Sequence, residues 1–555
     1  MKLNDGFDLV ATAPDGVARL RELILSLAVQ GKLLAQRKNE EPAPITASVR
    51  AKPLAPIPDE VVPFDLPKNW QFVRLGTVLE MINGRAFKAS EWLSAGLPIV
   101  RIQNLNNPDA TFNYCDPGCV DEKHIISNGE LLLSWSGTPG TSFGAFIWNR
   151  GTAALNQHIF KCVQIGASYV PSFLRLAINS QLHVLISQAQ GGVGLQHVTK
   201  GTLENLILVL PPVAEQSRIL AKFDELMRLC DELESRGRLE AEQHARLTTT
   251  LFETLAASES AHALAENWSR VAANLDLLLD RPEAVDALEQ TILQLAMRGL
   301  LVAQDLKDEP VNDLLKRIRT QKDSLIATGK IKRDKPVSPI ADDELLFDLP
   351  TGWAWVRTPQ IGESRLGKML DKAKNSGASY PYLRNTNVQW NRFELDDIKL
   401  IQLEEYELDE YRLQSGDLLI CEGGEPGRCA IWREQAEEMY FQKALHRFRA
   451  LGGVRAEFIA LCLEADAKSG RLADYFTGAT IKHFAGQELA RYCLPLPPVA
   501  EQERIISRVV ELRQLCADLR TRLANLQTCQ ARFAAALVEQ TAAAGPEAGG
   551  LALAA

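Results

Sequence analysis

The sequence predicts an α+β protein in which two repeated strand-rich domains are separated by two long spacer helices that pair as an antiparallel coiled coil. Two observations predict it: a block of residues recurs at a constant offset, and each copy is followed by the same helix-opening motif. Phe64-Asp65-Leu66-Pro67, followed two residues later by Trp70, returns 283 positions on as Phe347-Asp348-Leu349-Pro350 and Trp353, with Val73-Arg74 returning as Val356-Arg357. Pro98, Arg101 and Asn104 keep that offset against Pro381, Arg384 and Asn387, and a slightly larger one sets Pro139-Gly140 on Pro426-Gly427. Leu210 to Ile219 and Leu496 to Ile505 then agree at nine of ten positions, which chance does not supply. Leu20 to Gln36 is echoed by Leu288 to Gln304 at nine of 17 positions, including Gly31 and Gly299, so each half reads as helix, domain, helix.

Taken in order, residues 1–63 form an N-terminal helical segment and a Pro-rich linker, and 64–210 the first repeated domain. Residues 211–346 are a central helical spacer region with a charged, partly helical linker, 347–496 the second domain, 497–541 a C-terminal spacer helix and 542–555 an Ala/Gly-rich flexible tail. Inside the domains, short apolar runs bounded by Gly, Pro and Asn read as strands: Leu97 to Ile102, Glu130 to Trp135, Phe143 to Trp148 and Asp417 to Cys421. Val170 to Ser187 and Val454 to Leu472 read as helices. After each Leu-Pro-Pro-Val, the proline pair fits a helix entry and Ala-Glu-Gln a first turn.

The second spacer helix carries Ile505, Val509, Leu512, Cys516, Leu519, Leu523, Leu526, Gln530, Phe533 and Leu537 alternately four and three apart, a heptad seam. The first begins alike with Ile219, Phe223, Leu226, Cys230 and Leu233, and is interrupted at Gly237 and Glu240. One chain with two such helices satisfies both by pairing them; homodimerisation through the seam is the alternative.

Composition and charge limit the partners. The net charge of −9 lies entirely in 215–309, where 19 acidic residues face 10 basic ones. The domains are balanced, with 10 basic and 9 acidic residues in 64–210 and 19 and 22 in 347–496, so a nucleic-acid site must be a local gathering of cations. No apolar run approaches the roughly 18 residues that cross a bilayer, and Asp5, Asp8, Asp15 and Glu22 occupy the place of a signal peptide, which predicts a cytoplasmic chain. Ten scattered cysteines lack paired zinc-ligand spacing, so free thiols and no metal are expected.

Motifs for chemistry are missing. Both Pro-Pro pairs follow leucine, so the polar residue with which an Asn-Pro-Pro-aromatic methylase motif grips a flipped base is absent. No Gly-x-x-x-x-Gly-Lys-Ser/Thr phosphate cradle and no His-Glu-x-x-His occurs. A degenerate nuclease-like pattern, Asp109 with Asp121-Glu122-Lys123, meets Arg392 at the matched position of the other copy. The copies instead share polar loops that match in position and differ in identity, as two readers of different DNA sequences would: Arg and Lys prefer guanine edges, Asn and Gln adenine edges. Candidate contacts in the first domain are Arg85, Lys88, Asn104, Ser136, Thr138, Gln157, Gln196, His197 and Lys200. In the second they are Arg365, Lys368, Lys374, Asn387, Arg428, Lys443, Lys482 and His483. Arg101 and Arg384 read as structural, while His197 and His483 fit loop bracing and phosphate contact equally.

With its two domains, its two spacers and its Leu-Pro-Pro-Val-Ala-Glu-Gln-x-Arg-Ile signatures at Leu210 to Ile219 and Leu496 to Ile505, the chain resembles, over essentially its full length, the specificity subunit of type I restriction–modification enzymes. The resemblance implies two target-recognition domains reading the halves of a split double-stranded DNA target, and no catalysis by this chain. It implies as partners two modification subunits, which carry S-adenosylmethionine and methylate adenine, and restriction subunits, which use ATP and Mg to cut DNA. A metal-dependent nuclease centred on Asp109, Asp121 and Lys123, and a coiled-coil scaffold without a DNA role, are the competing readings.

Overall fold

The computed structural model describes residues 3–544 except 38, 46–53, 59–63, 138–142, 188–195, 371–376 and 434. It divides into two units: residues up to 239 together with those from 527 onward, and residues 240–526.

In the first unit, strands Leu79–Asn83, Ile159–Gln164, Leu131–Ser134 and Gly144–Ile147 lie side by side in that order as an antiparallel sheet. A second sheet orders Asn113–Cys115, Leu97–Val100, Ala153–Leu155 and Ile125–Ile126, its middle pair parallel. The run Leu131-Leu132-Leu133 is wholly buried because successive side chains leave opposite faces of a strand. Leu131 and Leu133 join the core under the helix Pro171–Ser180, while Leu132 joins Val100, Trp148 and Leu155 on the other side. The second unit repeats this with Gly362–Leu366, Leu445–Ala450, Leu418–Cys421 and Cys429–Ile431 in one sheet, and Lys399–Leu403, Ala378–Leu383 and Tyr440–Phe441 in the other. Here Leu418 and Ile420 face the helix Ala456–Ser469, and Leu419 and Cys421 face away. The expected strands are present, each shortened at one or both ends. The helix expected over 170–187 is broken into Pro171–Ser180 and Leu182–Ser187, and that over 454–472 ends at Ser469 before a 3₁₀ turn, Arg471–Tyr475.

Each domain closes on itself. Gln71–Arg74 pairs antiparallel with Ile207–Leu210, and Ala354–Arg357 with Cys493–Leu496, so entry and exit strands are neighbours. The recurring signatures meet beside this closure. Trp70 Nε1 donates to Glu215 Oε2, and Trp353 Nε1 to Glu501 Oε2, both at 3.0 Å. Gly31 and Gly299 share a φ of 71°, and a Cβ on the first would stand 2.6 Å from Pro67 and 3.1 Å from Trp70, on the second 2.7 Å from Pro350 and 2.9 Å from Trp353. Gln216 and Gln502 are fully buried and cross-link loop to helix: each donates to the carbonyl of the first signature proline and accepts from the N–H of Val170 or Arg455. Three sequence signals far apart in the chain are thus the parts of one joint, made twice.

The first spacer helix is Val213–Ala256 and the second Val499–Ala544. Gly237 does not break the first; no atom lies within 4 Å of where its Cβ would stand. In the first unit Leu226 and Cys230 share a core with Ala534 and Leu537, and in the second Phe252 and Leu255 share one with Leu519. The early part of each helix therefore meets the late part of the other, the antiparallel arrangement expected. The echoed helices complete it: Gly16–Val29 packs into the first core, and Pro282–Met297 packs beside Ile505, Val509 and Cys516 in the second. Of the seam residues, Ile219, Leu226, Ile505 and Val509 are buried, and Phe223, Leu233, Leu512 and Leu519 half-buried. Past Leu523 the buried stripe drifts off the heptad positions: Leu526 is 53% and Phe533 40% exposed, while the adjacent Gln527 is half-buried and Ala534 fully buried, as a helix of 3.6 residues per turn drifts from a 3.5 repeat.

Candidate nucleic-acid interface

The matched loops surround one turn in each domain. Gly84 and Arg85 lie against Asn156, and Gly367 and Lys368 against Gln442, each through a parallel bridge. Around these turns most candidate cations are committed to carboxylates of the same domain. Arg85 pairs with Glu91 and lies 4.8 Å over the Phe87 ring. Glu91 is held below the usual carboxylate range first by the Lys88 N–H, which donates to it at 2.7 Å, and then by Arg85. Arg365 sits between Glu363 and Glu410, Lys368 on Glu407, and Arg428 on Glu425 at 2.7 Å and on the Asn385 carbonyl at 3.0 Å. Lys200 donates to the Met81 carbonyl at 2.9 Å. Lys88, Lys443 and Lys482 are exposed and form no side-chain hydrogen bond or ion pair among the described residues.

The amides correct the sequence reading. Asn104 and Asn387 are 2% and 3% exposed, and every bond they form is internal. Their Oδ1 atoms accept from Arg101 and Arg384 N–H at 3.0 and 2.9 Å; their Nδ2 atoms donate to Ala110 and Thr111, and to Glu394 and Asp397, carbonyls. They brace a loop and are out of reach of DNA, their identity in both copies reflecting a shared fold. Ser136 is likewise buried, its carbonyl accepting from Ser134 Oγ at 2.9 Å. Gln157 lies 3.3 Å from His158. Gln196 and His197 pair through their backbones with Gly137 and Ser136. His483 is exposed and exchanges two 2.9 Å backbone bonds with Thr477. Thr138 and Lys374 lie outside the described residues. Arg384 binds Asp397 at 2.6 Å, and Arg101 lies 5.9 Å over Trp92, so both hold the framework.

Asp121 pairs with Lys123 at 3.2 Å, and no three His, Cys, Asp or Glu side chains gather as a metal set among the described residues. All ten cysteines are unpaired, and among the described residues no helix is long and apolar enough to cross a membrane.

A framework built twice with its surface loops changed defines a bipartite recognition protein. Residues 67–243 and 350–526 each match the family described as the Type I restriction modification DNA specificity domain. The chain is 30% identical to the Escherichia coli type I restriction enzyme EcoAI specificity subunit, and 29% identical to the EcoEI specificity subunit of that species, over 94% of its own length and 93% of theirs in both cases. The HsdS subunit of Thermoanaerobacter tengcongensis matches 86% of this chain and 97% of its own at 17% identity, with a TM-score of 0.41 too low to bear on the assignment. The chain belongs to the type I restriction–modification DNA specificity family.

Proposed function

We propose that each domain, 64–210 and 347–496, reads one half of a split DNA target, that the chain contributes recognition and no chemistry, and that modification and restriction subunits supply methyl transfer and cleavage. The observation that carries this is the matched pair of self-closed domains with unlike polar loops, set on paired spacer helices. Lys88, Lys443 and Lys482 are the proposed direct contacts; Arg85, Arg365, Lys368 and Arg428 shape the surface from within their ion pairs, with Lys200, Gln157 and His483 beside them. Phosphate contacts need free cations, and the candidate loops offer few, so the partners complete the basic surface around the duplex.

The consequence is measurable. With three free lysines among the described candidates, the isolated chain is expected to bind its duplex weakly, with a slope of log affinity on log salt of about −3, near 0.9 per phosphate. Addition of modification subunits is expected to steepen that slope and raise affinity for one sequence. Full affinity and specificity from the isolated chain at physiological salt would refute this division of labour.

A further inference from the structure

The two turns that anchor the candidate interfaces are the same turn. Asn156 N–H donates to the Val100 carbonyl at 3.1 Å, and Gln442 N–H to the Leu383 carbonyl at 3.2 Å. Arg85 N–H donates to Leu155 at 2.8 Å and Lys368 N–H to Phe441 at 3.1 Å. The turns close from Ile159 N–H to the Asn156 carbonyl at 3.1 Å, and from Leu445 N–H to the Gln442 carbonyl at 2.9 Å. Gly84 and Gly367 complete the clamp, and a Cβ on either would come within 2.1 and 2.3 Å of the Asn156 and Gln442 carbonyl oxygens. The backbone of the first turn residue is therefore fixed on three sides in both domains.

That residue carries an amide in both copies, although its neighbours differ: Gln157-His158 in one, Lys443-Ala444 in the other. Both amides are half-exposed, and neither side chain forms a hydrogen bond among the described residues. An asparagine opening a turn often caps the N–H two residues on, but here it does not, and glutamine has no such preference. The adjacent cation is already held by Glu91 in one copy and Glu407 in the other. The amide is thus the uncommitted polar group at a rigid, duplicated position, in contrast to Asn104 and Asn387, whose amides are spent inside.

We propose that Asn156 and Gln442 are specificity-determining residues, each reading one A·T pair, one in each half of the target. The side-chain NH₂ donates to adenine N7 while its oxygen accepts from adenine N6–H, a two-bond match that no other base edge offers in the major groove. This inference rests on the half-site reading above.

The test uses the full chain assembled with its modification subunits, with methylated sites mapped genome-wide and affinity measured on duplexes of the mapped target. Asn156→Ala should relax one A·T position in one half only, and Gln442→Met one A·T position in the other half only. Each should weaken binding to the parental target about 10- to 100-fold. Asn156→Asp and Gln442→Glu, nearly isosteric, guard against a folding defect; they should disfavour adenine at the same positions, since a carboxylate repels N7. Variants that melt like the parent yet keep the full target, or relax a G·C pair, would overturn the assignment. A parent whose target cannot be divided between the two domains would overturn the half-site reading itself, a separate and recognisable result.

Discussion

Trp353→Ala is expected to lower the stability of the unit formed by residues 240–526 by about 3–5 kcal/mol, the usual cost of truncating a large buried aromatic residue. The ring is 8% exposed, lies edge-on to Phe458 at 6.2 Å, and roofs Gly299 so closely that no side chain fits there. Its Nε1 donates to Oε2 of Glu501, a residue 2% exposed whose carboxyl burial pushes up and whose Oε1 has no hydrogen-bond partner among the described residues. Truncation thus opens a cavity and strands a buried acid. Trp353→Phe, which keeps most of the ring and loses the donor, should cost about 1–3 kcal/mol. Denaturant unfolding followed on this unit checks both, and a loss under about 1 kcal/mol for the alanine variant would show that the joint does not hold the domain to its helix.

Acid should destabilise the same unit through His446. The imidazole is 1% exposed on the strand Leu445–Ala450, and its Nε2 lies 2.9 Å from the Phe484 carbonyl, so Nε2 carries the proton of a neutral ring. Burial holds its pKa down at about 4 against an ordinary 6.5, with the bond to Phe484 opposing. A folded pKa below the unfolded one means that the unfolded chain takes up the proton first. Stability is therefore unaffected above about pH 6.5 and falls as pH drops from there to about 4, by about 3 kcal/mol in all. His446→Gln, which can still donate to Phe484, should lack this part of the acid sensitivity. Equal pH slopes for parent and variant in urea melts between pH 7 and 4.5 would contradict it. Phe484 follows Lys482 and His483 directly, so the same bond steadies the loop that carries these proposed contacts.

The duplication was legible in the sequence because its signatures are residues with no substitutes. Only glycine fits beneath Trp70 and Trp353, and only a donor-bearing ring satisfies Glu215 and Glu501. The buried ends of the spacer seam were legible for a similar reason, since an apolar stripe three and four apart must be covered. The part past Leu523 was not, because Leu526 and Phe533 continue the heptad in the sequence while the helix turns its buried stripe onto Gln527 and Ala534. The loops were hardest to read. Arg365 and Lys368 look like free cations until the fold brings Glu410 and Glu407 to them from 45 and 39 residues away. Asn104 and Asn387 look like readers because they are polar and repeated, yet a repeated polar residue is as well explained by a repeated loop that needs bracing. Asn156 and Gln442 stand in matched polar loops, where the sequence alone favours the neighbouring Gln157 and Lys443; that the two amides answer each other, at an offset three residues greater than that of the framework before them, rests on their identical backbone bonds.

The central claim is that one chain carries two independent half-site readers, and domain exchange tests it most directly. Residues 65–210 enter and leave as neighbouring strands, Gln71–Arg74 beside Ile207–Leu210, so the segment is closed at its base and exchangeable. Replacing it by the corresponding segment of another family member, and mapping methylated sites in the assembled complex, should give a split target with one half new and the other unchanged. A contiguous target in the parent, or an exchange that alters both halves together, would contradict the account.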